Sequence, residues 1–341
     1  MAASAMSMGD AERRDTSSLM ADISPPGPGR PYAIVTPAGE AGPLALDPAA
    51  IVALYQRHGA LLLRGFALDL GAFRAFAGQF CSSSVFNESP DRRLLDAEAN
   101  IQSVNGGVAA FPLHPELSRE PWKPDVCFFA CFRPPRAKGA TTICDGIELV
   151  RHLPEAVRRG LERRRLLYVQ RAAPELLDYW LGSATPDDAL LAAPPPPCPY
   201  VFRRTPDGIV RAFSRPALHK PMFSDAPAFG NFLLFSTFFN GNPTFPLLDD
   251  GQPVPEPWLW AIKDVGDRLS APVAWQAGDL LMLDNSRFMH GRTAILDPDE
   301  RQIASFFGYL NFAIPDAEEP PGAPWRKAAF RPPQRRAPLP A

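Results

Sequence analysis

The stretch GDLLMLDNSRFMHGRTAIL, residues 278–296, does most to set the fold class of this chain. Its two apolar runs flank the polar segment 284–287, which is typical of two neighbouring strands joined by a turn. Outward from it, further short apolar runs predict strands at 126–132, 141–145, 231–239 and 301–312. Many short strands with a few interspersed helices predict a mainly β fold, an antiparallel double-sheet roll with helices packed outside it.

The distribution of proline predicts how the chain is organised. It has 41 prolines, roughly 12% against an average of about 5%, and they cluster near both termini and at 190–200. We expect disordered tails at 1–30 and 314–341, and a single domain at 31–313. Residues 172–230 are rich in proline and longer than an ordinary loop, so we expect them either to be disordered or to form a lid over a functional site, and we favour the lid.

The charge balance excludes several classes of function. The chain of 341 residues has 35 basic and 37 acidic side chains, a net charge of −2. It therefore has no overall excess of positive charge that would attract nucleic acid or an anionic membrane. No stretch approaches the ~20 apolar residues needed to span a bilayer. The five cysteines show no regular pairing framework, which fits reduced thiols. We expect a cytoplasmic protein that acts on a small molecule, and the sequence leaves its oligomeric state open.

Two histidines and one glutamate point to a metal site. His114 and Glu116 are two positions apart, so on an extended strand both side chains point to the same face. Pro115 lies between them and is tolerated only at a sheet edge or strand end, which predicts a site at the rim of the roll. His290 lies in the second apolar run of 278–296. Two imidazoles and one carboxylate describe the facial triad of non-haem Fe(II) oxygenases, although a His-x-Glu pair alone is a weak signal.

Two further residues favour a dicarboxylate co-substrate. Arg301, eleven positions after His290, stands at the start of a predicted strand, where its guanidinium can bind a carboxylate with two hydrogen bonds. Thr141 can add a hydroxyl to the same carboxylate.

These residues lie in motifs that resemble the taurine dioxygenase-like (TauD/TfdA) family of Fe(II)- and 2-oxoglutarate-dependent oxygenases. The resemblance runs from about residue 50 to 312, in the family's order and spacing. The motifs that carry it are HGALLLRGF (58–66), PLHPE (112–116), FFACFRPPRAKGATTICDG (128–146) and GDLLMLDN…MHGR…R (278–301).

The resemblance implies a double-stranded β-helix, the jelly-roll core also found in cupins. It implies that His114, Glu116 and His290 ligate Fe(II), and that Thr141 and Arg301 hold 2-oxoglutarate. With O2 as the other co-substrate, such an enzyme hydroxylates, desaturates or otherwise oxidises its substrate. Halogenating relatives lack the carboxylate ligand, so Glu116 argues against halogenation.

Two departures from the family pattern bear on the site. Lys138–Gly139 stands where many members have two glycines, which leaves open whether Thr141 or Thr142 contacts the co-substrate. Many members carry a second arginine four positions after the co-substrate arginine, and this chain has Ser305 there. A substrate anion therefore need not be bound as it is in taurine dioxygenase.

Four residues are candidate substrate contacts. Gln102 and Asn105 precede the His-x-Glu strand, Arg292 either points into the site or pairs with Asp284, and His219 lies in the expected lid. An amino acid or an amino-acid-derived intermediate of secondary metabolism is the favoured substrate. Two alternatives are a cupin-like metal enzyme that does not use 2-oxoglutarate, and a metal-free binding module.

Overall fold

The computed structural model describes residues 20–332 of the chain. Strands dominate this part of the chain, as the short apolar runs predict. In chain order they are β1 Ala21–Ser24, β2 Ala33–Pro37, β3 Ala60–Leu63, β4 Cys81–Ser84, β5 Leu94–Asp96, β6 Ile101–Ser103, β7 Phe111–His114, β8 Val126–Arg133, β9 Thr141–Asp145, β10 Arg165–Arg171, β11 Val201–Thr205, β12 Gly208–Pro216, β13 Leu247–Leu248, β14 Ala271–Pro272, β15 Leu280–Asp284, β16 Phe288–Arg292 and β17 Gln302–Leu310.

The α-helices surround these strands. They are α1 Pro48–His58, α2 Leu70–Phe80, α3 Gly146–His152, α4 Glu155–Glu162, α5 Pro174–Leu181, α6 Asp188–Ala192, α7 Leu233–Phe238 and α8 Glu256–Leu269. The signals at the ends of α1 act as expected, because Asp47 accepts a hydrogen bond from the backbone of Ala49 and Gly59 closes the helix at a φ of 72°.

The strands of the core form two facing sheets. The larger has the order β1-β2-β3-β15-β8-β17-β6-β5, with β4 also paired to β17, and the smaller has the order β14-β9-β16-β7. The quoted stretch 278–296 supplies one strand to each sheet, β15 to the larger and β16 to the smaller. Their inward side chains share one buried cluster, in which Leu281 and Leu283 of β15 join Phe288 of β16. The predicted mainly β fold with flanking helices is confirmed.

The helices cover the outer faces of both sheets. Phe73 and Phe76 of α2 are buried against the larger sheet, in a cluster that includes Phe128. Val265 of α8 belongs to a second cluster with Met289 of β16. The outer face of each sheet is therefore closed by apolar packing against helices.

The segment 172–230 is more regular than its proline content predicts. It contains α5 and α6, and β11 and β12 pair as an antiparallel hairpin across Pro206–Asp207. The sequence Thr-Pro-Asp-Gly at 205–208 is a turn signal that outweighs the nearby prolines. With β10 and β13 the hairpin makes a separate four-stranded sheet.

Three further expectations need correction. Residues 21–24, expected in a disordered tail, pair with β2 as a strand. In the expected C-terminal tail, Trp325 is buried and Arg326 forms an ion pair with Asp125 at 2.8 Å. The strand predicted at 231–239 is wrong, because these residues contain the short helix α7. Residues 1–19 and 333–341 of the expected tails lie outside the described residues.

In each case tertiary packing or a short-range turn overrides a compositional signal. Across residues 20–332, every helix is too short or too polar to traverse a lipid bilayer.

Candidate active site

Three adjacent strands of the smaller sheet bring the predicted residues together. In the ladder between β16 and β7, His290 is the direct partner of His114. In the ladder between β16 and β9, Arg292 is the partner of Thr141. Gly291 permits this close approach, because a Cβ atom there would lie 2.7 Å from the carbonyl oxygen of Phe111.

The strand β7 is the edge of its sheet, so the prolines at its end cost no ladder hydrogen bond to an outer neighbour. Pro115 therefore follows an edge strand, as its place between His114 and Glu116 predicts.

The side chains of His114, Glu116 and His290 converge. One ligand atom from each lies within 4.8 Å of the other two. The Nδ1 of His114 donates to the carbonyl oxygen of Pro112 at 2.8 Å, so the Nε2 atom of that ring carries the free lone pair. The Nε2 of His290 lies 3.7 Å from Oε2 of Glu116. Glu116 and His290 are buried and His114 is half-buried.

This donor set fits a divalent transition metal. Burial lowers the pKa of His114. Burial also holds the pKa of His290 well below its usual range, and protonation of the neighbouring His114 would lower it further. Both rings are therefore neutral near pH 7, which is the form that coordinates a metal. Two imidazole nitrogens and one carboxylate on one side of an ion leave the other positions open, as a non-haem Fe(II) site requires.

A cationic side chain lies beside this cluster. Arg301 donates from Nη2 to the hydroxyl oxygen of Thr141 at 3.0 Å, and Nε1 of Trp275 donates to the same oxygen at 3.0 Å. Burial, together with the charge of Arg292, lowers the pKa of Arg301 to about 10, so its guanidinium remains charged near neutral pH. The Nε of Arg301 is buried and has no hydrogen-bond partner in the described part of the chain. Such an atom is available to an anion bound in the cavity.

The residues His114, Glu116, Thr141, His290 and Arg301 all line one cavity of about 630 Å³. Its sides differ in chemistry. The strands present the histidines and Thr141, Arg301 immediately precedes β17, and the segment 87–92 adds polar side chains. Five rings form an aromatic wall of the same cavity: Phe111, Phe129, Phe232, Phe235 and Phe239. The ring of Phe235 lies 4.6 Å from that of His114, centroid to centroid, so the aromatic wall begins beside the cluster of His114, Glu116 and His290.

The four predicted substrate contacts do not all reach this cavity. Asn105 and Arg292 line it, but Gln102 and His219 do not. Gln102 is buried and bonds to the backbone of Asn87, and His219 contacts the carbonyl oxygen of Ser286 at 2.6 Å.

Arg292 is committed to the backbone of the segment before β7. Its guanidinium donates to the carbonyl oxygens of Asn105 and Ala109 at 2.6 and 2.8 Å. It also lies 4.2 Å from the centre of the Phe111 ring. The alternative pairing of Arg292 with Asp284 is not formed.

The cavity also contains residues that sequence reasoning missed. No residue of the expected lid 172–230 is among the described lining residues, several of which lie instead in the segments 87–92 and 232–239. Arg92 donates to the hydroxyl oxygen of Ser305 at 3.0 Å. The resemblance predicts an arginine at position 305, and this chain has a serine. The missing arginine is the sequence feature that could have indicated a cation from another segment, and Arg92 is that cation.

The chain matches the family model described as "Taurine catabolism dioxygenase TauD, TfdA family" over residues 38–306. The chain belongs to this family. It is therefore a non-haem Fe(II) dioxygenase that uses 2-oxoglutarate and O2 and acts on a small molecule. Family membership decides against both alternatives, the cupin-like enzyme that does not use 2-oxoglutarate and the metal-free binding module.

Solved structures share the fold at low sequence identity. The PvcB protein from Pseudomonas aeruginosa is 15% identical with a TM-score of 0.57, and the match covers 87% of this chain and 94% of that one. A taurine dioxygenase from Burkholderia xenovorans is 15% identical with a TM-score of 0.56, and the match covers 91% of this chain and 100% of that one. No curated protein is similar enough in sequence to count as a match.

Proposed function

We propose that His114, Glu116 and His290 are the ligands of Fe(II), and that the enzyme oxidises a small organic substrate held against the aromatic wall of the cavity. The observation that carries this assignment is the convergence of their three ligand atoms within 4.8 Å at one end of a single cavity. When bound there, iron supplies the chemistry by which O2 and 2-oxoglutarate give succinate, CO2 and an oxidant able to remove hydrogen from a substrate.

The protein's own residues position the reactants. Arg301 is half-buried and its Nε has no hydrogen-bond partner among the described residues, and Thr141 offers a hydroxyl whose oxygen accepts from Arg301 and Trp275. We assign these two residues to the distal carboxylate of 2-oxoglutarate, because a charged fork and a hydroxyl at one point match a carboxylate. Thr142 does not line the cavity, which favours Thr141.

The wall nearest the cluster indicates which part of the substrate is oxidised. Phe235 and Phe239 lie 4.8 Å apart, centroid to centroid, and Phe111 lies within 5.8 Å of each. An apolar group placed against these rings loses contact with water, and it does so beside the metal cluster. We therefore propose that the reacting carbon belongs to an apolar portion of the substrate.

The favoured substrate class remains an amino acid or a derivative of one in secondary metabolism. PvcB, which has the same fold, is described as an Fe, alpha-ketoglutarate dependent oxygenase from an isonitrile synthetic pathway. Because Glu116 occupies the carboxylate position, we propose hydroxylation or desaturation. We place the protein in the cytoplasm, which fits five cysteines that are all free.

The test is conversion of 2-oxoglutarate to succinate by purified protein with Fe(II) and O2, across a panel of amino acids and their derivatives. Wild type should release succinate faster with the right panel member, and His290→Ala should release none. Equal succinate release by both proteins would contradict the proposed ligand set.

A further inference from the structure

The loop between β4 and β5, residues 85–93, reaches the proposed carboxylate ligand from outside the strands. The Nδ2 of Asn87 donates to Oε1 of Glu116 at 2.5 Å, and the Asn87 side chain is buried. The other oxygen, Oε2, faces Nε2 of His290 at 3.7 Å. The two oxygens of one carboxylate therefore have different partners.

The orientation of the Asn87 amide is fixed by its own surroundings. Its Oδ1 accepts from the backbone N–H of Ser89 at 2.8 Å, so this atom must be the oxygen and the atom facing Glu116 must be the NH2 group. Gln102 holds the backbone of Asn87 at both ends, because it accepts from the N–H at 3.0 Å and donates to the carbonyl oxygen at 2.9 Å. Asn87 can therefore neither flip nor withdraw easily.

Arg92, in the same loop, forms hydrogen bonds to residues outside the loop. It donates to Asn105 at 2.7 Å, to Ser305 at 3.0 Å and to Oε2 of Glu116 at a longer 3.3 Å. Gln102 and Asn105, which the sequence indicates as substrate contacts, thus hold the loop that holds Glu116. Their polar groups are used within the protein.

We propose that Asn87 is a positioning residue that fixes Glu116 as a one-oxygen metal ligand, with Oε1 bound to the amide and Oε2 presented to the metal. This inference rests on the proposed ligand set. The terminal torsion of a glutamate side chain is broad and roughly two-fold, so an unrestrained carboxylate can turn either oxygen, or both, towards a cation. Hydrogen bonds to a ligating carboxylate hold one of these arrangements and raise the affinity for the metal.

The test is anaerobic calorimetric titration of the apo protein with Fe(II) alone. Asn87→Leu keeps the size of the side chain and removes the donor, and we expect Fe(II) binding about 10- to 100-fold weaker than in wild type. Arg93→Gln is the matched control in the same loop, because Arg93 is exposed, and its dissociation constant should equal that of wild type.

The outcomes separate this inference from the proposed function. If wild type binds Fe(II), Glu116→Ala loses it and Asn87→Leu is unchanged, the role of Asn87 is overturned and the ligand set stands. If Glu116→Ala binds Fe(II) as wild type does, the ligand set itself fails. Should Asn87→Leu not fold, Asn87→Ser takes its place, since its side chain is too short to reach Oε1.

A rescue experiment separates positioning from a general structural role. In Glu116→Ala, added formate can occupy the vacated carboxylate position, and Asn87 should hold it there. We expect formate to tighten Fe(II) binding in Glu116→Ala and not in the double variant with Asn87→Leu. Equal tightening in both proteins would overturn the proposal, because formate would then not need the Asn87 amide.

Discussion

The two sides of the cavity are built in different ways. On the strand side, His114, Thr141 and His290 take their positions from the registers of β7, β9 and β16, and backbone ladders fix them. On the loop side, Asn87 and Arg92 take theirs from side-chain hydrogen bonds within 85–93 and to its neighbours. The first arrangement is set by the fold itself, and the second depends on a few particular side chains.

The difference teaches which part of the site is general and which is particular. A slip of one residue in strand register would move every side chain to the other face of the sheet. Residues on strands with a buried face therefore hold their relative positions. Loops tolerate substitution and carry the features that distinguish one enzyme from another on the same scaffold. We therefore expect the strand side to carry the reaction common to the family, and the loop side and aromatic wall to tune it.

Removal of a strand-side ligand should have the largest effect. His290→Ala deletes one of three proposed ligands, so Fe(II) binding by calorimetry and succinate release should both fall below detection. His152→Ala is the matched control, because His152 is an exposed histidine on α3. Wild-type Fe(II) affinity in His290→Ala would contradict the proposal that this strand residue is a metal ligand.

Loss of the co-substrate cation should come next. Arg301→Gln leaves a carboxylate of 2-oxoglutarate without its charged partner in a buried site, which costs about 2–5 kcal/mol. The KM for 2-oxoglutarate should rise at least about 30-fold, with Fe(II) affinity unchanged. Arg136→Gln, at a side chain 84% exposed, should leave that KM as it is. An unaltered KM in Arg301→Gln would place the co-substrate elsewhere.

A single hydroxyl should have a smaller effect. Thr141→Val removes the oxygen that Arg301 and Trp275 share, so the KM for 2-oxoglutarate should rise about fivefold, for a hydrogen bond of about 1 kcal/mol. The buried Nε1 of Trp275 also loses its partner, and thermal unfolding should show a fall of about 1–3 kcal/mol in the free energy of unfolding. Thr142→Val should leave the KM unchanged, and the reverse result would assign the contact to Thr142.

Part of this site could be predicted from the sequence for a physical reason. The i, i+2 spacing of His114 and Glu116 has a geometric meaning on a strand, and Pro115 fixes the pair at an edge. The sequence also predicts that His114 and His290 both lie on strands. The structure then pairs the two strands so that His290 lies opposite His114, 176 positions away along the chain.

What could not be predicted depends on tertiary contacts. Nothing in the spacing of Asn87 and Glu116 shows that they meet, because a loop has no fixed period. The segment 231–239 is apolar throughout, and a short apolar run does not distinguish a buried strand from a helix. It contains α7, and Phe232, Phe235 and Phe239 in and beside this helix belong to the aromatic wall. The proline content of 172–230 predicts a lid over the site. In the structure this segment contains the hairpin at 201–216, and none of its residues lines the cavity.

The smallest expected effect on stability lies on this aromatic wall. Phe239 is 43% exposed, so Phe239→Ala should change the free energy of unfolding by no more than about 0.5 kcal/mol. With a substrate identified by the succinate screen, loss of an aromatic contact of about 0.5–1.5 kcal/mol should raise its KM roughly 2- to 13-fold.

Tyr179→Ala, another exposed aromatic side chain, lies outside the cavity lining and should leave the KM of the substrate unchanged. If Phe239→Ala leaves it unchanged too, the substrate does not use this wall.

The central claim is that the strand side binds Fe(II) and 2-oxoglutarate together. Anaerobic addition of Fe(II) and then 2-oxoglutarate tests it by visible absorption, since chelation of the metal by the oxo-acid produces a metal-to-ligand charge-transfer band. We predict the band in wild type, its loss in His290→Ala and a shift of its 2-oxoglutarate dependence to higher concentration in Arg301→Gln. Bound Fe(II) without any band in wild type would contradict the account.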